Sequence, residues 1–130
     1  MDLYDNYAYA GPDDRQKRIP IQRALTIDGH GITIDGANSA AIFYVEGKVI
    51  FKNIKFKNCY GYDGAGSGAA IHIYSGICQI INCTFENNNV SEGGAAIFIS
   101  SGNCQITNCT FIITLLWLVV LFMHILGIIG

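Results

Sequence analysis

An internal repeat constrains this sequence more than any other feature. Residues 68–88 read GAAIHIYSGICQIINCTFENN, and residues 94–113 repeat them 26 positions later as GAAIFISSGNCQITNCTFII. An earlier copy, residues 40–59, aligns with the middle copy at an offset of 29. A short repeat cannot bury its apolar face alone and needs neighbours stacked on it. The sequence therefore predicts a solenoid.

The pattern inside each copy predicts three short strands. Apolar and polar residues alternate, as half-buried strands require, and the middle copy has three inward pairs: Ile71 and Ile73, Cys78 and Ile80, Cys83 and Phe85. Three strands in 26 residues leave no room for a helix, so we expect an all-β coil of parallel strands. We expect residues 1–20 to be a lead-in or cap and residues 21–111 to be the repeat region. Its predicted coils lie near residues 24–36, 40–59, 68–88 and 94–111.

Stacked coils place equivalent residues in rows about 4.8 Å apart. Glycine forms one row, where a turn needs a positive φ or a close backbone approach. Asparagine forms another, where amides can bond along the stack and tolerate a left-handed turn. Phenylalanine forms a third, in the interior. The rows are Gly47, Gly76 and Gly102; Asn53, Asn82 and Asn108; Phe56, Phe85 and Phe111.

The segments GAAIHI and GAAIFI, followed by NCTF, resemble the repeats of right-handed parallel β-helix surface proteins. The resemblance is to the adhesin-like proteins of methanogenic archaea and, more loosely, to polymorphic outer membrane protein repeats. LTIDGHGITIDG, residues 25–36, is similar to the segment that opens the helix in those adhesin-like proteins. The resemblance implies a right-handed, pectate-lyase-like solenoid of about 3–4 coils at the cell surface, with glycans or cell-surface proteins as partners.

The chain departs from that family at both ends. The opening MDLYDNYAYA has no visible secretory signal, and the family's proteins are longer, so we expect a fragment. Residues 112–130 are uncharged and apolar, and a helix of that length spans about 28 Å, which predicts a transmembrane segment. No Lys or Arg follows them, and they begin where the repeat should continue. A frame change or truncation in the gene is the alternative.

The charge distribution argues against a nucleic-acid partner. The formal net charge is −2, and all eight Lys and Arg residues precede position 58. Lysines cluster on one predicted outer face of the second coil: Lys48, Lys52, Lys55 and Lys57. We interpret this face as solvated, with an anion or glycan site as the less favoured alternative.

Enzymes also use β-helices, so a polysaccharide lyase or glycoside hydrolase fragment is the alternative function. Asp28 and Asp35, with His30 between them, form the suggestive cluster, because glycoside cleavage needs two carboxyl groups. Gly-His-Gly occurs in polygalacturonase-like enzymes, but their Arg-x-Lys motif is not in place here. We interpret both Asp-Gly pairs as turns and assign no catalytic residue.

Metal and cofactor sites are not predicted. The three histidines, His30, His72 and His124, are scattered, and His72 aligns with outward positions at Phe43 and Phe98. Cysteines of the middle copy align with Val49 and Ile54, which favours core packing over soft-metal binding. A disulfide between stacked cysteines is compatible with the spacing but not required, and Cys59 has no partner.

The remaining sequence features are loops. Residues 64–68 are glycine-rich but precede a strand, so we expect a flexible loop and not a phosphate site. Asn89 is the one sequon outside the asparagine row and is a glycan acceptor if the chain is exported. The predicted function is a cell-surface adhesin-like or structural protein displaying loops 60–68 and 86–93. A truncated copy without function is a third possibility.

Overall fold

The structure is a computed structural model that describes residues 1–11, 19–61, 70–90 and 96–112. These residues form β-strands joined by turns, so the all-β prediction is confirmed. The strands are β1 (Tyr7–Ala8), β2 (Ile19–Ile21), β3 (Leu25–Asp35), β4 (Phe43–Val45), β5 (Lys48–Lys57), β6 (Tyr60–Gly61), β7 (Ile71–Ile73), β8 (Ile77–Ile81), β9 (Thr84–Glu86), β10 (Asn89–Val90), β11 (Ile97–Ile99), β12 (Asn103–Thr107) and β13 (Thr110–Ile112).

Every pair of these strands is parallel and joins successive repeats. The largest sheet runs β1-β3-β5-β8-β12, with β9 between β5 and β13. A second sheet runs β11-β7-β4-β2, and β10 pairs with β6. Parallel neighbours need a long crossover and cannot be hairpins. The chain therefore winds into a parallel β-solenoid, or β-helix, of about three turns, as predicted.

Alternate residues of each strand fill the interior. In β7 and β11 the outer two residues are buried and the central one is half-buried. Phe85 lies between Phe56 and Phe111, with ring centroids 5.1 and 5.0 Å away and rings tilted by only 10° and 9°. Phe56 and Phe85 are fully buried, while Phe111 is partly buried at the last described coil. The phenylalanine row is thus a stack of parallel rings along the solenoid axis.

The asparagine row forms one corner of each coil. Asn53, Asn82 and Asn108 have φ values of 58°, 53° and 57°, in the left-handed region. Asparagine tolerates this conformation better than other residues with a Cβ. The same bend separates β8 from β9 and β12 from β13, whereas β5 passes through it unbroken.

The glycine row lies at the turn that precedes the asparagine corner in each coil, and its members differ. Gly76 and Gly102 have φ values of +89° and +86°, but Gly47 does not have a positive φ. A Cβ on Gly47 would lie 2.6 Å from the carbonyl oxygen of Arg23, so close approach accounts for this glycine. The turn from β4 to β5 has two residues, whereas the turns from β7 to β8 and from β11 to β12 have three.

This shorter turn corrects one predicted alignment. After the turn, β5 pairs with β8 at the predicted offset of 29 residues. Before the turn, β4 pairs with β7 at an offset of 28 residues. His72 therefore lies beside Tyr44, not Phe43 as predicted, and Phe43 pairs with Ile71 and faces the core. The prediction carried one offset through a turn that lacks one residue.

The N-terminal residues join the same stack. Strand β1 pairs with β3, and Asp2 bridges Asp28, both in parallel register. Strand β2 pairs with β4, so the first coil includes residues 19–21. Residues 1–11 thus add a partial layer to the N-terminal edge of the largest sheet.

Most of the predicted transmembrane segment lies outside the described residues. Its first residue, Ile112, ends β13 and pairs with Glu86. Among the residues that the structure describes, there is no helix with the length and apolarity needed to cross a bilayer.

Candidate functional site

A groove runs along the corner that the asparagine row forms. Its volume is about 500 Å³, and it opens to solvent across the first three coils. We call it the corner groove, and its lining residues are His30, Gly31, Asn53, Ile54, Lys55, Asn82 and Thr84. The lining combines amide, hydroxyl, imidazole and ammonium groups, and Ile54 beneath them is buried in the core.

An insertion in the first coil shapes one end of the groove. Between the paired positions Asp28 and Ile32, β3 has three residues, whereas β5 has only Asn53 at the same place. His30 and Gly31 absorb the extra length with φ values of 51° and 87°. The result is a bulge that raises the His30 side chain out of the stack, where 40% of it is exposed.

His30 is held by residues of the N-terminal segment. Its Nε2 atom lies 2.9 Å from Oδ1 of Asp2, and its ring stacks on Tyr4 with centroids 4.8 Å apart. Asp2, Asp28 and His30 each place one potential ligand atom here, and these three atoms lie within 4.8 Å of one another. Carboxylate oxygens and an imidazole nitrogen are donors that divalent cations accept. Sequence reasoning missed this cluster because residues 1–11 show no period.

Competing interactions occupy the Asp28 carboxylate. Its Oδ1 accepts hydrogen bonds from the Asn53 side-chain amide and the His30 backbone N–H, both at 3.0 Å, and Lys52 Nζ is 3.8 Å from Oδ2. The hydrogen bond donated by the Asn53 side chain, and after it the one donated by the His30 backbone N–H, lower the pKa of Asp28 below its ordinary value. Asp28 therefore stays ionised at neutral pH, which suits an electrostatic role and not that of a general acid.

Asp35 has the same local arrangement one corner further along β3. Its Oδ1 accepts from the Ala37 backbone N–H at 2.8 Å and from the Asn58 amide at 3.2 Å, while Lys57 Nζ lies 3.9 Å from Oδ2. Both aspartates thus stabilise turns by hydrogen bonding the backbone two residues on. This is the geometry that the turn interpretation predicts.

The predicted lysine face is largely neutralised by carboxylates of neighbouring coils. Lys55 Nζ lies 2.8 Å from Glu86 Oε1 in the next coil, and Lys52 and Lys57 face the first coil's aspartates. The hydrogen bond and charge of Lys55 lower the pKa of Glu86. The face carries ion pairs that link coils, and Lys48 stands exposed at the start of β5.

The five cysteines are free thiols, and four of them are buried. Cys78 pairs in register with Cys104 in mid-strand. Cys83 and Cys109 follow the asparagine corner, and the threonines that come directly after them, Thr84 and Thr110, pair in register. The residue stacked on Cys59 is Asn88, whose Oδ1 accepts the Cys59 backbone N–H at 3.0 Å. Four of the cysteines therefore lie in two stacked pairs, and Cys59 is stacked on Asn88 instead.

Aromatic side chains form a row on the outer face of the second sheet that sequence reasoning missed. The His72 ring lies edge-on between Tyr44 and Phe98, with centroids 5.1 and 5.2 Å away. Tyr74 stacks on Tyr44 at 5.4 Å and is half exposed. His72 Nε2 also lies 2.7 Å from the Ser100 hydroxyl oxygen. The offset of 28 that pairs β4 with β7 is the signal that would have revealed this row.

A second, apolar cavity of about 590 Å³ lies at the N-terminal end of the stack. Residues of the N-terminal segment, the first coil and residues 40–43 line it, with aliphatic side chains including Leu3, Ile32 and Ile34. It continues the solenoid interior beyond β3.

Several predicted features lie wholly or partly outside the described residues. These are loop 64–68, most of the predicted display loop 60–68, residues 91–93 of loop 86–93, and His124. The backbone of Asn89 belongs to β10 and pairs with Tyr60.

Comparison with protein-family models, with curated proteins and with solved structures finds no match to this chain.

Proposed function

We propose that this protein is an adhesin-like or structural surface protein that binds a glycan in the corner groove. The groove carries the proposal, because its polar side chains stand on a rigid stack of coils and are not needed to close the core. In this proposal the solenoid is a right-handed β-helix of the pectate-lyase type. Repeat proteins commonly bind partners through side chains arrayed across successive coils.

The chemistry of the groove suits sugar hydroxyls. Lys55 and the Asn82 amide donate hydrogen bonds, Thr84 both donates and accepts, and His30 presents an exposed imidazole. Such sites combine apolar contact area with a few converging polar groups, and this groove has room for a short oligosaccharide segment.

The second candidate function is a fragment of a β-helix polysaccharide lyase or glycoside hydrolase. Asp28 beside the groove is the observation that favours it. Glycoside hydrolysis requires a carboxylic acid that keeps its proton. Asp28 and Glu86 instead have lowered pKa values, and the hydrogen bonds of Asp28 maintain a turn. We therefore rank binding above catalysis.

The experiment is a binding and cleavage assay with the full chain. Immobilised polyuronides and neutral cell-wall glycans are probed for retention of the protein and for release of new reducing or unsaturated ends. We expect retention without cleavage. The groove variants Lys55→Ala and Thr84→Ala should weaken retention about tenfold each, the effect of losing one hydrogen-bonding group worth about 1.4 kcal/mol.

The matched control is Lys48→Ala, which removes an exposed lysine of the same strand outside the groove. It should leave retention unchanged. If the protein cleaves a glycan and the cleavage is lost in Asp28→Asn or Asp35→Asn, the protein is a lyase or hydrolase and the binding proposal is wrong. If the protein were retained on a cell-surface protein but on no glycan, the partner would be a protein and the glycan proposal would be wrong.

We also propose that residues 112–130 attach the protein to a membrane. The support is the uncharged apolar run in the sequence. The full chain should float with phospholipid vesicles in a density gradient, and a chain ending at Ile112 should not. Equal sedimentation of the two chains would contradict the attachment.

A further inference from the structure

The two stacked cysteine pairs differ in access to solvent. Cys78 and Cys104 face the interior from the middle of β8 and β12, and their exposed fractions are 1% and 3%. Cys83 is equally buried, but Cys109, stacked on it in the last described coil, is only partly buried. A reagent from solvent can reach one pair through Cys109 without opening the core.

The spacing within the Cys83 and Cys109 pair suits a covalent link. The Thr110 backbone N–H donates to the Cys83 carbonyl at 3.0 Å, so the two residues lie on adjacent coils at the same corner. Adjacent strands are about 4.8 Å apart, within the Cα separations of about 4.4 to 6.8 Å found in disulfides. The Cys109 Sγ lies 3.4 Å from the carbonyl oxygen of Ile80 in the preceding coil, and the Cys83 Sγ lies 3.4 Å from the carbonyl oxygen of the adjacent Ile81.

The chemistry of Cys109 also favours reaction. The neighbouring Cys83 thiol lowers the pKa of Cys109 to about 7, while the Cys109 thiol and burial raise the pKa of Cys83. Partly exposed cysteines with a lowered pKa are the ones in proteins that react first with a reagent from solvent. A thiol whose pKa is near ambient pH is the best attacking group in disulfide exchange.

We propose that Cys83 and Cys109 are a modification site at which a low-molecular-weight disulfide, of the glutathione disulfide class, forms an intercoil disulfide. Cys109 thiolate attacks one sulfur of the reagent, giving a mixed disulfide and releasing one thiolate, which takes up a proton. Cys83 then loses its proton to solvent and attacks Cys109 Sγ, which displaces the second thiol. Two protein thiols are oxidised to one disulfide, and one reagent disulfide is reduced to two thiols. The proposal does not rest on the proposed glycan binding.

The test uses the reduced full chain at pH 7. Brief alkylation should label Cys109 first, about 15-fold faster than a thiol with the ordinary pKa, because about half of it is thiolate instead of about 3%. A separate sample that has not been alkylated should react with glutathione disulfide to give a product lighter by two hydrogen atoms. Peptide mapping should join Cys83 to Cys109.

Three variants identify the order of events. Cys83→Ala should accumulate a glutathione adduct at Cys109, because the second thiol is missing, and Cys109→Ser should form neither adduct nor disulfide. The matched control Cys104→Ala alters the other pair and should leave the reaction unchanged. If Cys83→Ala fails to fold, the unaltered chain and Cys109→Ser still decide by mass.

Three results would overturn the proposal. One is a link between Cys78 and Cys104 that forms first. Another is a glutathione adduct at Cys109 that persists in the unaltered chain. The third is a lack of reaction at Cys109 until the protein is unfolded with urea.

Discussion

Stacking of the coils at the glycine turn can be tested with two substitutions that share a backbone conformation. Gly76 and Gly31 have φ values of +89° and +87°. A Cβ on Gly76 would lie 2.3 Å from the carbonyl oxygen of Gly47 in the preceding coil, whereas a Cβ on Gly31 would have no neighbour within 4 Å. Alanine at either site has the same φ strain, and only Gly76→Ala forces two coils apart.

The structure gives a magnitude for each variant. Alanine in the left-handed conformation costs about 1–2 kcal/mol. Alanine also lowers the conformational entropy of the unfolded chain, which stabilises the folded state by about 0.4–1 kcal/mol, so Gly31→Ala should cost about 1 kcal/mol. For Gly76→Ala the Gly47 oxygen must also move from 2.3 to beyond 3.0 Å. That shift breaks its hydrogen bond from the Ile77 N–H, now 3.3 Å long. An unsatisfied carbonyl adds about 1–3 kcal/mol.

Urea unfolding followed by far-ultraviolet circular dichroism measures both variants. We expect the free energy of unfolding to fall about 2 kcal/mol further in Gly76→Ala than in Gly31→Ala, with similar urea dependence. Equal losses in the two variants would refute the reasoning, because they would mean that the glycine corners of adjacent coils are not in contact.

Three further predictions concern the rows and the ion pairs. Phe85→Ala should cost about 3–5 kcal/mol in thermal or urea unfolding, and Phe111→Ala about half as much, because Phe85 has a ring on both sides; the reverse order would contradict the stack. Asn82→Gly should change stability by less than about 0.5 kcal/mol and Asn82→Ala should cost about 1–2 kcal/mol, since φ is 53°; equal costs would argue against a conformational role. Because Lys55 lowers the pKa of Glu86 in the folded state, the stabilisation is present above the ordinary value of 4.5 and lost as pH falls through the lowered pKa. Urea midpoints from pH 6 down to about pH 3 should therefore fall less in Lys55→Met; an unchanged profile would exclude the pair as the cause.

The sequence could predict the features that depend on the repeat itself. Strand positions, the parallel stack and the phenylalanine row all follow from one period, because equivalent residues in adjacent coils have equivalent surroundings. The structure has Phe85 in register with Phe56 and Phe111, and it has left-handed asparagines at the corner. Side-chain type and spacing contain this information, and no long-range contact is needed to read it.

The features that the sequence could not predict depend on departures from the period. The β4 to β5 turn is one residue short, so an alignment based on a single offset placed His72 beside the wrong residue. The contact between Asp2 and His30 joins a segment without a period to an insertion. Ion pairs such as Lys55 with Glu86 join unlike residues of adjacent coils, which leave no repeated pattern.

The corner groove shows why the departures matter for function. A solenoid with the same asparagine in every coil would have a uniform corner, because each residue would repeat the one below it. The two extra residues of the first coil break that uniformity and bring His30 out of the stack beside Asn53. Coil-specific residues, Lys55 and Thr84, then give each level of the groove a different polar group. Recognition of an asymmetric ligand requires such differences along the axis, so a binding site in this fold is expected where the repeat is least regular.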